Sequence, residues 1–589
     1  MKNKTKVKKI TTALGIAGAA SIAGATLASC GASLSYKSSV QLVVSNDSST
    51  LADQSFSESS FNGIRDFYKK ELMIDIPQAN SSSISVNDGL WKRPGDTDDK
   101  RINTYRQIKN EGSLVAVATG FNQESALNKI LDNTAYYNEF KDFGFIFVDG
   151  VISKTNGTNI SAITFQTESA AFLTGIAAGV LVNKNSGFFK TVMVDGKETY
   201  GIGSFVGLAL PSTVSFLNGF RLGAIFFNEY VQPKVKGFKK LSWISSNKTQ
   251  NDGARDSLAA DVSGSFSNIE QKATTITDGL LDNGASLVYP VAGPQTALSQ
   301  SAILSKKEQH KAQLIGVDTA QENLATTQAL QGAPGGKTIA FSTVKALDVA
   351  VYSTLKAIKD GKVYNGFYGY GWNNLASLAN NGVSLSNAGL AYLPDLAKLF
   401  KDTEATVTAE AGGSVSADTG TNSSSMNMMM AEMNSSTRAS TLRADPAAAG
   451  ESSTGTGAAT MSGDSGATAE ATTTATTSNE PKQIESSALV TVTDSNKQSI
   501  LEQYVKILAG TSTLFSSESD KTRWVIKGNE LITFKTKIEA DAKLLPVLTI
   551  EGNNNALSHA SALLASSKQQ ATGELLNQSK KTFVFSKLR

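Results

Sequence analysis

The chain has 589 residues, 40% hydrophobic and 18% charged, with 55 Lys and Arg against 52 Asp and Glu for a formal charge of +3. At roughly 150 residues per domain it holds several domains, and its near-neutral balance excludes a dedicated nucleic-acid binder, which carries a basic surplus. One cysteine, Cys30, and two histidines, His310 and His559, exclude a disulfide scaffold, a zinc finger or a cysteine-ligated cluster. They leave almost no material for a histidine-based hydrolase or a metal site, so neither catalysis nor a cofactor is expected.

The first residues carry Lys2, Lys4, Lys6, Lys8 and Lys9, and residues 10–28 are uncharged and rich in Ala, Gly and Ile. A basic start before an apolar, small-residue run is the pattern of a secretory signal. Leu27-Ala28-Ser29-Cys30 closes it, as in the bacterial lipobox, whose cysteine is acylated and becomes the first mature residue. The run is poor in Leu and Phe for a permanent span. Residues 1–29 are therefore expected to be a lipoprotein signal peptide, with Cys30 the lipidation site. The two or three acyl chains there would hold the protein on the extracellular face of the cell membrane, where a single chain anchors only marginally.

Residues 30–400 read as globular. Short apolar runs recur at Val40-Gln41-Leu42-Val43-Val44, Leu114-Val115-Ala116-Val117, Phe145-Ile146-Phe147-Val148, Leu287-Val288-Tyr289 and Leu314-Ile315-Gly316-Val317. Each predicts a strand buried on both faces. Helical spacing of apolar residues appears between them, at 61–68, 170–182 and 216–227. Alternating strands and helices predict an α/β fold with parallel sheets, and there are enough repeats for two lobes. Asp47, Asp149, Gly293 and Asp318 each follow a predicted strand. Ligands of open parallel sheets bind outside the carboxyl ends of strands, which makes these four candidates for one cleft. The glycine-rich run Gly201-Ile202-Gly203-Ser204-Phe205-Val206-Gly207 matches neither phosphate-loop pattern and reads as a tight strand-to-loop connection. His310 lies in a solvated run of charges, and His559 has no carboxylate near it in sequence.

Residues 401–485 are dominated by Ser, Thr, Ala and Gly around Met426-Asn427-Met428-Met429-Met430. Such a composition buries too little apolar surface to offset its ordering entropy and predicts a disordered insert or linker. Over 486–589 order is expected to return, with a strand at 489–493, a helix at 499–508, a hairpin around Gly528-Asn529 and a weak helix over 556–576. This C-terminal region either completes the second lobe or forms a docking module.

Six segments between about 38 and 400 resemble, in order, the basic membrane protein family of ABC-type substrate-binding lipoproteins, which includes purine nucleoside receptors. Asp53-Gln54-Ser55-Phe56-Ser57-Glu58-Ser59-Ser60-Phe61-Asn62-Gly63 resembles its D-K-S-F-N-Q-S-A-Y-x-G opening. Ala118-Thr119-Gly120-Phe121 is similar to its G-F turn, and Phe147-Val148-Asp149-Gly150 to its I-D strand end. Leu210-Pro211-Ser212-Thr213-Val214, continuing through Phe216 to Ala224, is similar to its P-x-V-x-x-F-x-x-G-F-x-x-G helix. Ile315-Gly316-Val317-Asp318-Thr319-Ala320-Gln321 resembles I-G-V-D-x-D-Q, and Ser342-Thr343-Val344-Lys345-Ala346-Leu347-Asp348 resembles S-x-x-K-x-x-D. The chain departs from the pattern at Gln54, Ser57 and Ala320, which bears on which ligand is bound.

The resemblance implies a type I periplasmic-binding-protein-like fold, two α/β lobes with the ligand cleft between them. It implies a monomeric receptor that captures a nucleoside, a purine nucleoside first, and delivers it to an ABC importer permease. The implied ligand contacts are Asp47, Phe56, Asp149, Trp243, Gly293, Asp318 and Lys345. Of these, Trp243 is chosen by position as the second-lobe aromatic that closes over the base. Two rivals are weighed beside this: a surface adhesin or antigenic lipoprotein that keeps the fold without transport, and an extracellular nucleosidase or nuclease using Asp47 and Asp149.

Overall fold

A computed structural model of the chain describes residues 39–400, except 47–48, 54, 81–83, 85–88, 154–157, 248–261 and 270, and residues 483–508, except 490–491. Asp47, the signal peptide, Cys30, residues 401–482 of the low-complexity stretch, and the hairpin and helix expected beyond 509 lie outside the described residues.

The apolar runs form two sheets. The first holds six strands in the order β12-β5-β4-β3-β1-β2: β1 (Val40–Val43), β2 (Trp91–Lys92), β3 (Val115–Thr119), β4 (Gly144–Val148), β5 (Ile160–Phe165) and β12 (Trp372–Ala376). All of its pairings are parallel. The second sheet runs β13-β11-β10-β9-β7-β6, with β8 also paired to β7. Its strands are β6 (Val192–Val194), β7 (Lys197–Val206), β8 (Leu241–Trp243), β9 (Ala285–Val291), β10 (Gln313–Asp318), β11 (Ile339–Lys345) and β13 (Val383–Leu385). Only β6 and β13 run antiparallel to their neighbours. Parallel strands need helical crossovers, and these cover both faces, so β1, β3, β4, β5 and β9 are buried at every position.

Local chemistry sets the helix boundaries. In the helix Phe56–Glu71 the buried Phe61, Ile64, Phe67 and Tyr68 recur at helical spacing, and Lys69 and Lys70 occupy the last turn. Asp53 caps its start, its carboxylate accepting the backbone N–H groups of Ser55 at 2.9 Å, Ser57 at 2.8 Å and Glu58 at 3.1 Å. The helices Thr167–Lys184 and Pro211–Phe226 pack against each other as a pair. A Cβ on Gly223 would lie 2.0 Å from the Phe172 carbonyl oxygen, so only glycine admits this approach of the two backbones.

The chain passes between the sheets three times, always at their carboxyl edges. It leaves β5 into the helix Thr167–Lys184, leaves β11 into the helix Leu347–Asp360, and leaves β12 for β13. The passages are hydrogen-bonded side by side: Gln166 N–H donates to the Ala376 carbonyl at 2.8 Å, and Ala346 N–H to the Gly382 carbonyl at 3.0 Å. Two lobes joined by three adjacent passages leave the carboxyl ends of both sheets facing one cleft.

Two local expectations are corrected. Gly201 and Gly203 lie inside β7 rather than in a loop after it, because the Gly284 carbonyl and Leu280 press against that strand: a Cβ on Gly201 would stand 2.2 Å from the former and one on Gly203 2.6 Å from the latter. The alternation at 489–493 does not make a strand among the described residues; Ser486–Ala488 form a 3-10 turn, and Thr493 N–H bonds its own chain at Asn496 Oδ1, 2.6 Å away. The helix Lys497–Leu508 does form, and its Tyr504 is fully buried with its hydroxyl donating to the Pro394 carbonyl at 2.9 Å.

Candidate functional site

Five of the predicted site residues converge on the cleft. Asp149 directly follows β4, Phe56 opens the helix that follows β1, Asp318 ends β10, Gly293 follows β9 and Lys345 ends β11. The Lys345 ammonium, 2% exposed, crosses from the second lobe to pair with Asp149 Oδ1 of the first. It also stands 4.6 Å from the ring centre of Phe56 and 4.9 Å from that of Phe165, which ends β5. A desolvated ammonium is held well by a carboxylate on one side and two ring faces on the other. Ser55 Oγ donates across the same gap to Asp318 Oδ2 at 3.3 Å. A Cβ on Gly293, at φ +36°, would lie 3.1 Å from Ser55 Oγ, so glycine is what lets the two lobes approach there.

Asp149 and Asp318 both take left-handed backbone angles, φ +78° and +65°. Aspartate tolerates this region better than most side chains, and its use at two strand ends turns each carboxylate out of its sheet. Burial pushes the Asp318 carboxyl up to about 6 from an ordinary 3.8; the Lys345 ammonium pulls it down, the negative charge of Asp149 pushes it up, and the Ser55 hydrogen bond and Asp53 contribute less. The cleft thus holds one ammonium against two carboxylates, one of which, Asp318, is pushed up to about 6 by burial.

A polar network fixes the second-lobe side. Gln321 Oε1 accepts the Val317 N–H at 3.0 Å and the Thr296 hydroxyl at 3.1 Å, while its Nε2 donates to the Gly293 carbonyl at 3.3 Å. Its own N–H donates to Ser342 Oγ at 3.0 Å, and that hydroxyl donates to Glu322 Oε2 at 2.6 Å. The Gln321 side chain therefore ties the turn after β9 to the end of β10, beside Gly293 and Asp318, and its backbone N–H links them to Ser342 within β11.

Trp243 stands apart from the group. Its Cα pairs with Ile202, four residues before the end of β7, or about 13 Å along the strand. Its ring packs on Phe220 at 5.9 Å and under the Arg221 guanidinium at 4.2 Å. Another second-lobe aromatic, Phe266, lies beside the end of β7, its half-buried ring packed against the core around Phe205, Ile244 and Leu280. Val262 bridges to Val206, and Ser263 Oγ donates to Gln295 Oε1 at 2.7 Å. Gln295 Nε2 donates to the carbonyls of Ser265 and Ser267 at 2.9 and 3.0 Å. This strapping brings Phe266 against Gly207, where a Cβ would lie 2.5 Å from its ring. The available signal was an aromatic within a Ser/Gly-rich loop, Val262-Ser263-Gly264-Ser265-Phe266-Ser267. Phe165 and Thr119 were missed as well. Thr119 ends β3, and its buried hydroxyl has no hydrogen-bond partner among the described residues. A polar cavity of about 470 Å³, lined among others by Asn183, Lys190, Tyr200 and Lys239, lies at the opposite edge of the second sheet.

The family of ABC transporter substrate-binding proteins described as PnrA-like matches residues 40–248. A lipoprotein of Mycoplasma genitalium is 40% identical over 422 residues, which span 63% of this chain and 71% of that one. A lipoprotein of Mycoplasma pneumoniae is 40% identical over 426 residues, 63% of this chain and 64% of its own length. Among solved structures, an ABC transporter solute-binding protein from Aeropyrum pernix superposes with a TM-score of 0.41 at 19% identity, over 64% of this chain and 80% of that one.

Proposed function

The chain belongs to the family of PnrA-like ABC transporter substrate-binding proteins, and from that premise we propose that it captures a purine nucleoside in the interlobe cleft. Held by lipid at Cys30 on the outer face of the membrane, it hands the nucleoside to an ABC importer. The family is one of substrate-binding proteins rather than enzymes. The observation that carries the ligand reading is the meeting of Phe56, Asp149, Asp318 and Lys345 at the carboxyl edges of two sheets. An aromatic face stacks a base in any ring orientation. Buried carboxylates accept hydrogen bonds from ribose hydroxyls and fix the sugar. The lysine sets a positive charge against the carboxylates in a closing, water-poor cleft. Contacts supplied by both lobes exist only when the lobes meet, so the ligand favours the closed form.

A panel of nucleosides, free bases and pentoses, followed by calorimetry and by melting temperature, tests this. Purine nucleosides are expected to bind and to raise the melt, while ribose alone is not. Binding of ribose as tight as that of a nucleoside would sink the base-stacking role of Phe56. Absence of binding by every compound would sink the receptor reading.

A further inference from the structure

We propose that the amino edge of the first lobe is a lipid-contacting surface that seats the protein on the membrane holding its anchor; the proposal rests on the reading of Cys30 as the lipid-bearing residue. Four of the seven large apolar side chains exposed among the described residues gather at this edge: Met73 is 84% exposed, Ile74 41%, Val363 40% and Tyr364 36%. The helices Phe56–Glu71 and Leu347–Asp360 run side by side, and their last turns meet. Glu71 accepts from the Tyr352 hydroxyl at 2.9 Å and from Lys356 and Lys359 at 3.1 Å. Tyr364 packs edge-on against Tyr352 at 5.8 Å, and Ile74 N–H donates back to the Tyr68 carbonyl at 3.0 Å. These contacts gather residues far apart in sequence into one patch.

The patch lies beside the point where the chain arrives from Cys30. Val40 N–H, at the start of β1, donates to the Tyr68 hydroxyl at 3.0 Å. Nine residues lead from Cys30 to Ser39, a reach of about 30 Å at most. A lipid at Cys30 therefore keeps the bilayer within reach of this edge. The chemistry fits such a surface. Met73 holds φ +59°, a conformation that glycine or asparagine adopts at less cost, yet the position carries a long apolar side chain facing water. Methionine and isoleucine suit the acyl boundary, and tyrosine suits the headgroup level. Lys70, Lys356 and Lys359 are ion-paired to Asp66, Glu71 and Asp360, whereas the exposed Lys69 and Lys362 stand outside those pairs at the rim. Such lysines reach anionic headgroups while their stems lie along apolar surface.

The test uses the mature lipoprotein reconstituted on phosphatidylcholine vesicles containing phosphatidylglycerol. With Cys30 acylated, a cysteine introduced by Met73→Cys, Tyr364→Cys or Met193→Cys is the only free thiol and takes an environment-sensitive dye. The dye at 73 and 364 is expected to shift to the blue and to be quenched by lipid-borne quenchers, while the dye at 193, on the second lobe, keeps its aqueous emission. Protein that floats with the vesicles while all three positions stay unquenched overturns the proposal and leaves the anchor standing. A blue shift without lipid quenching overturns it in favour of contact between copies of the chain. Protein that fails to float overturns the Cys30 reading, and the proposal with it.

Discussion

In the proposed nucleoside complex, Asp318 is the residue on which ligand affinity and pH would meet. A carboxyl whose folded value lies above its unfolded one holds its proton more tightly when folded. Its contribution to stability therefore falls as pH rises from about 4 through about 6. A ribose hydroxyl bonds the ionised carboxylate of Asp318 more strongly than the protonated acid, so the sign for binding is opposite. Nucleoside affinity is expected to hold near pH 8 and to fall below about pH 6, approaching tenfold per pH unit. Asp318→Asn should bind more weakly at high pH and lose this slope. Calorimetric titrations across that range check it; an unchanged affinity in the parent protein would remove ionised Asp318 from the ligand contacts.

At the scale of elements, packing and strapping separate residues that look alike in sequence. Gly223→Ala would put a methyl group 2.0 Å from the Phe172 carbonyl, forcing apart the helices Thr167–Lys184 and Pro211–Phe226. A loss of about 1–3 kcal/mol is expected, read as a lowered denaturation midpoint, while Gly187→Ala, with nothing within 4 Å of its added carbon, should leave the midpoint in place. Phe266 and Trp243 make a second contrast. Phe266→Ala should weaken nucleoside binding by about 1–3 kcal/mol if its ring covers the base, and should only lower the melt if the ring serves the core around Phe205 and Leu280. Trp243→Ala should lower the melt and leave affinity in place, because its ring packs on Phe220 and Arg221. If Trp243→Ala costs affinity and Phe266→Ala does not, Trp243 is the second-lobe aromatic that covers the base.

For the whole molecule, the proposed closure of the lobes would be held by a few interlobe contacts, among them the Lys345 pair with Asp149, the most buried ion pair among the described residues. Lys345→Ala leaves Asp149 and Asp318 facing one cleft without their cation, and like charges in a low dielectric repel. The ligand-free variant should therefore open. Small-angle scattering is expected to report a larger radius of gyration than the parent near pH 8, with the difference shrinking near pH 5, where Asp318 is protonated. Equal radii at both values would show that this pair does not hold the lobes.

Much of the molecule was legible in the sequence because its information is local. Buried parallel strands are short apolar runs, and their crossover helices carry the apolar spacing of covered faces, so the α/β class and two lobes followed from pattern alone. Asp149, Gly293 and Asp318 were legible because a polar or glycine residue directly after such a run has few roles other than turning the chain at a sheet edge. Phe56 and Lys345 needed the resemblance to a known family. Where the second-lobe aromatics stand was decided only in three dimensions: Phe266 is brought to the end of β7, against the core around Phe205, by the strap between Ser263 and Gln295, partners 32 residues apart. Trp243 is kept away by its register against Ile202, and strand register is a property of pairing that no single strand records. Tertiary structure also decided that a lysine from one lobe would meet an aspartate of the other, 196 residues away, because only the three passages between the sheets bring their carboxyl edges face to face.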